Sequence, residues 1–372
     1  MRIVLTGGGT GGHIYPALAI GREAERRDPA SELLYIGTKR GLESRIVPER
    51  GVRFESIDIT GIRRSLSLEN VRTALRFVRG VRRAKSLLRE FRPDAVVGTG
   101  GYVCGPVVYA AAKLGIPTLL HEQNVVPGLT NKFLSRYADA VAVSFADSKP
   151  HFARVKSVEY AGNPCATAIL GGDPIRGYAS LGLSPGTRFV LIVGGSRGAQ
   201  TLNRAAAEAA AKLGGLPDVH FVFASGERYY EELKAEIDRI SDPSVASRLH
   251  VKPYISNMAE VLAATSLVVG RAGASFIAEF AALGVPAIYV PSPNVTNNHQ
   301  QANAESVVRV GGGTMILERE LTGAKLYEAV AGIMGDESRR VKMAEAAKSI
   351  GMPEAAGVIY DQLERIVRRE RT

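Results

Sequence analysis

Short apolar runs and amphipathic stretches alternate from one end of the sequence to the other. Ile3-Val4-Leu5 is followed by Ala17, Ile20 and Ala24 at the spacing of one helix face. Leu33-Leu34-Tyr35-Ile36, Val96-Val97, Thr118-Leu119-Leu120 and Val141-Ala142-Val143 come next, separated by polar or glycine-rich segments. Runs that are apolar at consecutive positions belong to parallel strands covered on both faces. The pattern then restarts. Turn chemistry at Tyr160-Ala161-Gly162-Asn163-Pro164 and a Gly/Pro/Ser-rich stretch over 171–186 lead to Phe189-Val190-Leu191-Ile192-Val193. Phe221-Val222-Phe223, Leu267-Val268-Val269 and Ala287-Ile288-Tyr289-Val290 follow. This predicts an α/β chain of two doubly wound, Rossmann-like domains. They are expected over residues 1–162 and 163–350, with an amphipathic C-terminal helix in 351–372 packing back on the first.

Composition narrows the picture. The 372 residues are 45% hydrophobic and 23% charged, ordinary for a soluble globular chain of two domains. No apolar run reaches the roughly 18 residues of a membrane span, and the N-terminus reads as a strand and not as a signal peptide. Cys104 and Cys165 lie far apart without metal-ligand or CxxC spacing, so a reducing cytoplasmic setting without disulfides is expected. The formal charge of +10 suits nucleic acid, an anionic membrane or phosphorylated substrates. The chain has no zinc-knuckle, helix-turn-helix or RNP pattern, which disfavours nucleic acid. The segment 62–92, opening at Ile62, concentrates Arg63, Arg64, Arg72, Arg76, Arg79, Arg82, Arg83, Lys85, Arg89 and Arg92 among Leu75, Phe77, Val78 and Val81. It reads either as a solvated charged helix or as a patch facing anionic lipid at the membrane.

Three glycine loops carry the chemistry. Gly7-Gly8-Gly9-Thr10-Gly11-Gly12-His13 follows a strand and opens a helix, where backbone N–H groups can approach phosphate. Gly7, Gly9 and Gly12 satisfy the dinucleotide fingerprint, but the second strand ends Ile36-Gly37-Thr38-Lys39 without the acidic residue that holds ribose. This disfavours a nicotinamide enzyme. Gly98-Thr99-Gly100-Gly101-Tyr102-Val103-Cys104-Gly105-Pro106 and Gly194-Gly195-Ser196-Arg197-Gly198-Ala199 repeat the arrangement. Three such mouths fit two phosphorylated ligands better than one. In Arg271-Ala272-Gly273-Ala274-Ser275-Phe276-Ile277-Ala278-Glu279, the carboxylate lies one turn into a helix, to favour its dipole or to accept from ribose hydroxyls. Asn297-Asn298-His299-Gln300-Gln301-Ala302-Asn303 is a polar run at another helix start.

Together these segments, with His121-Glu122-Gln123-Asn124-Val125-Val126-Pro127-Gly128-Leu129-Thr130-Asn131-Lys132-Phe133-Leu134-Ser135-Arg136-Tyr137-Ala138-Asp139, closely resemble the MurG family of peptidoglycan N-acetylglucosaminyltransferases over nearly the whole chain. The resemblance implies a GT-B fold, two Rossmann-like domains with parallel sheets facing a central cleft. It implies inverting transfer from UDP-N-acetylglucosamine to undecaprenyl-diphosphate-linked MurNAc-pentapeptide, lipid I to lipid II, by a peripheral enzyme on the cytoplasmic side of the cell membrane. It places Thr10, Gly11, Gly12 and Asn124 near the donor sugar and Ser196 at the donor diphosphate. The backbone of Ile255 would read uracil, Ala274, Ser275 and Phe276 would surround the nucleoside, and Glu279 would hold the ribose. Gln300 and Gln301 would contact N-acetylglucosamine. Many members carry an arginine shortly after the Gly162-Asn163-Pro164 hinge, where this chain reads Cys165-Ala166-Thr167. That donor contact is therefore not carried over, and Arg197 is a candidate substitute.

Such a reaction needs a base for the acceptor hydroxyl and help for departing UDP. His13 at the end of the first loop is the candidate base, with a role in binding the acceptor diphosphate as its alternative. Gly9, Gly101, Tyr102 and Gly105 complete the expected diphosphate site. His121 and Glu122 are the next candidates for the base. No DxD or His/Asp cluster suggests a protein-held metal, and no cofactor is expected. Another GT-B enzyme, such as a diacylglycerol glycosyltransferase or a UDP-sugar epimerase, is the competing reading.

Overall fold

The computed structural model describes residues 1–61, 68–195, 198–240 and 242–370, leaving the side chains of 68–72 and Glu370 outside that description. The chain divides into two compact units, Met1–Ala168 with Glu354–Thr372, and Ile169–Pro353. The first unit thus runs past Gly162. The short helix Cys165–Ala168 packs on the helix Gly11–Arg27 and on the C-terminal helix Ala355–Glu370, and the Ala356 N–H donates to the Thr167 hydroxyl at 3.0 Å.

The first sheet contains β1 (Arg2–Thr6), β2 (Glu32–Gly37), β3 (Arg53–Ser56), β4 (Ala95–Gly98), β5 (Thr118–Glu122), β6 (Ala140–Val143) and β7 (Ser157–Tyr160). Its order is β3-β2-β1-β4-β5-β6-β7, and every pairing is parallel. The second contains β8 (Arg188–Val193), β9 (Val219–Ala224), β10 (Leu249–Lys252), β11 (Leu267–Gly270), β12 (Ala287–Tyr289) and β13 (Gly313–Met315), in the order β10-β9-β8-β11-β12-β13. Both are doubly wound, with direction reversing between β1 and β4 and again between β8 and β11.

Strand alternation builds the layers. Val4, Leu34, Ile36, Val96 and Val141 face one side of the first sheet, packing with Leu87, Leu88 and Val107. Ile3, Leu5, Tyr35 and Val97 face the other, against Ala17, Ile20, Ile359, Leu363 and Ile366. The C-terminal helix therefore completes the first unit. Burying each of its large apolar side chains contributes roughly 1.5–3 kcal/mol, enough in sum to fix it there. Charge pins the same contact: Glu23 accepts from Arg26 and Arg27, and Arg27 also pairs with Asp361.

Candidate functional site

In doubly wound sheets, ligands bind beyond the carboxyl ends of the strands at the point where strand order reverses. In the first unit, the strands flanking that point are β1 and β4, and their carboxyl ends run directly into the first two glycine loops. In the second unit they are β8 and β11, which run into 194–199 and 271–274. The loops that stood out in the sequence therefore sit where topology places ligands. Three helices beginning there, α1 (Gly11–Arg27), Gln200–Ala210 and Ala274–Leu283, have no side-chain cap and no acidic residue in the first turn. Some helices elsewhere carry caps, from Asp173, Asp242, Thr322 and Asp336, while others, such as Leu129–Leu134 and His299–Arg309, do not. Uncapped N–H groups at a helix start suit an incoming anion.

In the first unit the two glycine loops touch. The Gly8 N–H donates to the Gly100 carbonyl at 3.3 Å, and a Cβ on Gly101, where φ is +81°, would stand 2.3 Å from the Gly8 oxygen. His13 lies in the first turn of α1. Its Nδ1 is 3.0 Å from the Gly8 carbonyl, and its own carbonyl accepts from the Thr99 hydroxyl at 2.7 Å. A carbonyl only accepts, so Nδ1 carries the proton, which in the neutral form of the ring puts the lone pair on Nε2. That nitrogen lies against Gly100, where an added Cβ would be 3.0 Å from it. Thr10 and Gly12 are exposed, Gly11 is half-buried, and the half-buried Tyr102 sets its ring beside Gly9.

Beyond β5 the polar residues are tied to one another. Glu122 is buried and its two oxygens accept from four N–H groups: Asn124 N at 3.0 Å, Asn124 Nδ2 at 3.3 Å, Gly128 N at 3.1 Å and Asn131 Nδ2 at 2.9 Å. His121 is enclosed between the Gly162 carbonyl, the Ser144 hydroxyl and the Gln123 amide. Burial pushes its imidazole down to about 4, so it stays neutral.

In the second unit Ala274, Ser275 and Phe276 form the open first turn of Ala274–Leu283, with Phe276 stacked on Phe280. The Ser275 hydroxyl is buried without a hydrogen-bond partner. Glu279, one turn further, is mostly buried, and burial pushes its carboxyl up to about 8. Among the described residues no group donates a hydrogen bond to it, so its oxygens have capacity for ligand hydroxyls. Ile255 is buried beyond β10. Gln300 Oε1 accepts from Ser292 N at 2.9 Å, leaving its amide NH₂ as the donor end. Gln301 is held between Asn298 and Glu305. Ser196 and Arg197 lie outside the described residues. Among those described, no three His, Cys, Asp or Glu side chains gather as metal ligands.

Residues 3–143 match the model of the glycosyltransferase family 28 N-terminal domain, and residues 189–359 match that of its C-terminal domain. The chain belongs to glycosyltransferase family 28. A relative from Halalkalibacterium halodurans, named UDP-N-acetylglucosamine–N-acetylmuramyl-(pentapeptide) pyrophosphoryl-undecaprenol N-acetylglucosamine transferase, is 49% identical over 99% of this chain and 100% of its own. The crystal structure of Acinetobacter baumannii MurG superimposes with a TM-score of 0.78 at 29% identity, covering 98% of this chain and 99% of that one. A UDP-GlcNAc 2-epimerase from Neisseria meningitidis bound to UDP-GlcNAc shares the fold, with a TM-score of 0.71 at 13% identity over 98% and 100% of the two chains. The MurG resemblance read from the motifs holds for the family and for the GT-B fold, whereas the epimerase likeness is one of fold alone.

Within this family 28 chain the structure revises three expectations. The Gly9 N–H, expected at the acceptor diphosphate, is already engaged by Glu43 Oε2 at 3.3 Å. Gly105 has a packing reason to lack a side chain, since a Cβ there would stand 3.2 Å from the Phe77 ring of the helix Leu68–Phe91. The four donors on Glu122 make it an organiser of the loop carrying Asn124. Sequence reasoning missed Glu43 and Asn131. Glu43 is four residues beyond Lys39 on a helix of its own, and Asn131 lies inside the motif that runs from His121 to Asp139, where nothing in its spacing singles it out.

Proposed function

We propose that this chain transfers N-acetylglucosamine from UDP-N-acetylglucosamine to the 4-hydroxyl of MurNAc in undecaprenyl-diphosphate-MurNAc-pentapeptide, with inversion at the anomeric carbon. The observation that carries the chemistry is the pairing of uncapped helix starts at the strand-order reversals with the partnerless Glu279 carboxyl. The activity for which the 49% identical relative is named supplies the substrates. Neither the NAD reading nor a diacylglycerol acceptor draws such support.

The first unit supplies the base. His13 Nε2 takes the proton of the attacking hydroxyl, and Gly8 O steadies the resulting imidazolium through Nδ1–H. The N–H groups of Gly11 and Gly12 at the start of α1 serve a phosphate or the donor sugar, as Thr10 and Asn124 do. Gly101 and Tyr102 line the acceptor diphosphate. In the second unit, Ala274, Ser275, Phe276 and the Ile255 backbone frame the nucleoside, Glu279 holds ribose hydroxyls, and Gln300 and Gln301 reach the sugar. Ser196 and the N-terminus of Gln200–Ala210 stabilise departing UDP.

The membrane surface belongs to the same reading, because the acceptor is lipid-anchored. Leu75 and Val78 are exposed beside Arg79 and Arg82 on Leu68–Phe91, and the exposed Phe133 packs edge-on to Phe77. Exposed apolar side chains among arginines suit anionic headgroups above acyl chains. Arg63 and Arg64 lie outside the described residues. Among those described, no helix is long and apolar enough to cross a membrane.

His13 variants test the mechanism. His13→Ala should lower kcat by about a hundred- to ten-thousandfold with UDP-sugar affinity unchanged. His13→Gln, which can still donate to phosphate, should lose the acidic limb of the pH profile as well. Near-normal kcat with that limb retained in His13→Gln would make His13 a binding residue.

A further inference from the structure

Behind the first glycine loop sits a carboxylate that the mechanism above does not use. Glu43, on the helix Glu43–Glu49, is fully buried. Its Oε1 accepts from the Thr38 hydroxyl at 2.7 Å and the Thr38 N–H at 3.1 Å, and its Oε2 accepts from the Gly9 N–H at 3.3 Å. Two glycines make room for it, since a Cβ at Gly8 or Gly41 would come within 2.7 or 2.1 Å of Oε1. The Gly9 N–H and the Gly8 carbonyl are the two ends of one peptide group. That carbonyl is the partner of His13 Nδ1 at 3.0 Å. Carboxylate, peptide and imidazole therefore form a single hydrogen-bonded line.

We infer that Glu43 is a positioning residue that acts on His13 through the Gly8–Gly9 peptide. The carboxylate polarises that peptide, strengthening the Gly8 carbonyl as an acceptor, because hydrogen bonds in series reinforce one another. A stronger acceptor holds the proton on Nδ1, leaves the lone pair on Nε2 and favours the imidazolium once a proton arrives. The line also fixes the loop itself, because Gly9 cannot turn outward without giving up the buried carboxylate's bond. Glu43 touches no substrate in this scheme. The inference rests on His13 being the base for its effect on rate, but its effect on the ring's tautomer stands independently.

Glu43→Gln keeps the shape and removes the charge. Whichever way the amide turns, one end presents NH₂ to a former donor, so either the Gly9 or the Thr38 contact is lost. The tautomer of His13 is read by ¹⁵N spectra of imidazole-labelled protein, with His13→Gln assigning the resonance. Glu43→Gln should shift the ring away from pure Nδ1–H and move the acidic limb of the kcat profile to lower pH. It should also reduce kcat about ten- to a hundredfold, the cost of a slightly misplaced catalytic group, with the KM for UDP-N-acetylglucosamine unchanged. The other titratable side chains around these loops are left in place: Tyr35, whose hydroxyl donates to the Gly7 carbonyl at 2.6 Å, Cys104, which bonds the Gly100 backbone, Tyr15 beside Gly11, and Tyr102, His121 and Glu122. If Glu43→Gln fails to fold, Thr38→Val removes the shortest bond to Glu43, and the same tautomer shift is expected in smaller measure. A wild-type tautomer and acidic limb in the folded variant overturn the inference, even if kcat falls. If His13→Gln instead keeps its rate and limb, the base reading fails, while the ¹⁵N spectrum still decides the action of Glu43.

Discussion

Glu279 gives the most quantitative test of the donor site. With its carboxyl pushed up to about 8 by burial, only about a tenth of the ligand-free protein carries it ionised at pH 7. Ribose hydroxyls donate to the ionised form, so binding selects it and expels a proton. The affinity for UDP-N-acetylglucosamine should therefore rise about tenfold per pH unit below 8 and flatten above it. The sugar nucleotide is the right probe, because its diphosphate is a diester and does not itself titrate there. Calorimetry at pH 7 in buffers of different ionisation enthalpy should show about 0.9 proton released per ligand bound. Glu279→Gln should abolish both the pH dependence and the proton release. At about pH 8.5 it should weaken binding by roughly 1.5–3 kcal/mol, the range for a charged hydrogen bond, and at about pH 6 by much less. The sign for stability is opposite. A carboxyl whose folded pKa lies above its unfolded value destabilises the fold progressively as pH rises from about 4.5 towards 8, by up to about 3 kcal/mol at pH 7. Glu279→Gln should accordingly be the more urea-resistant protein at neutral pH without ligand. Affinity independent of pH, with the Gln variant binding as tightly as wild type at pH 8.5, would refute the assignment of Glu279 to the ribose.

His121 supplies an acid-sensitivity prediction for the first unit. Its folded pKa of about 4 lies below the ordinary imidazole value of 6.5, so its stabilisation is full above 6.5 and is lost as pH falls towards 4, in all about 3 kcal/mol. Urea titrations at pH 7 and 4.5 should show this loss in wild type and not in His121→Gln; equal slopes in both proteins would assign the acid sensitivity elsewhere. For the membrane face, wild-type protein should co-sediment with phosphatidylglycerol vesicles and leave them as salt rises. Replacing Arg76, Arg79, Arg82 and Arg83 with Gln should weaken that binding while sparing turnover of a short-chain, water-soluble acceptor, and unchanged sedimentation would return the patch to ordinary solvated surface.

What the sequence disclosed and what it concealed follow from burial. The nine strands read from apolar runs are the inner strands of both sheets, where two covered faces demand apolar side chains at every position. The other four, β3, β7, β10 and β13, are the edges of the two sheets. Arg53-Phe54-Glu55-Ser56 and Leu249-His250-Val251-Lys252 are half-exposed there and show no apolar run. The glycine loops were legible because backbone needs at a phosphate site appear directly as glycine. Glu43 was not. An acidic residue was sought at the end of the second strand and found missing, yet a carboxylate reaches that place from a helix and turns towards the first loop. Glu122 shows the converse. A carboxylate beside a histidine at a strand end looks like a base until its four N–H partners are seen. The hinge was read at a turn, but packing of Cys165–Ala168 on the C-terminal helix carries the first unit on to Ala168.

The most direct test of the central claim is incubation of the purified protein with UDP-N-acetylglucosamine, ¹⁴C-labelled in the sugar, and a lipid I analogue bearing a shortened polyprenyl chain. The predicted result is one labelled disaccharide product per UDP released, with the sugar on the MurNAc 4-hydroxyl and a large anomeric proton coupling marking the β linkage. UDP release or conversion of the labelled sugar to its 2-epimer without the acceptor, or transfer to diacylglycerol in preference to the lipid I analogue, would contradict it.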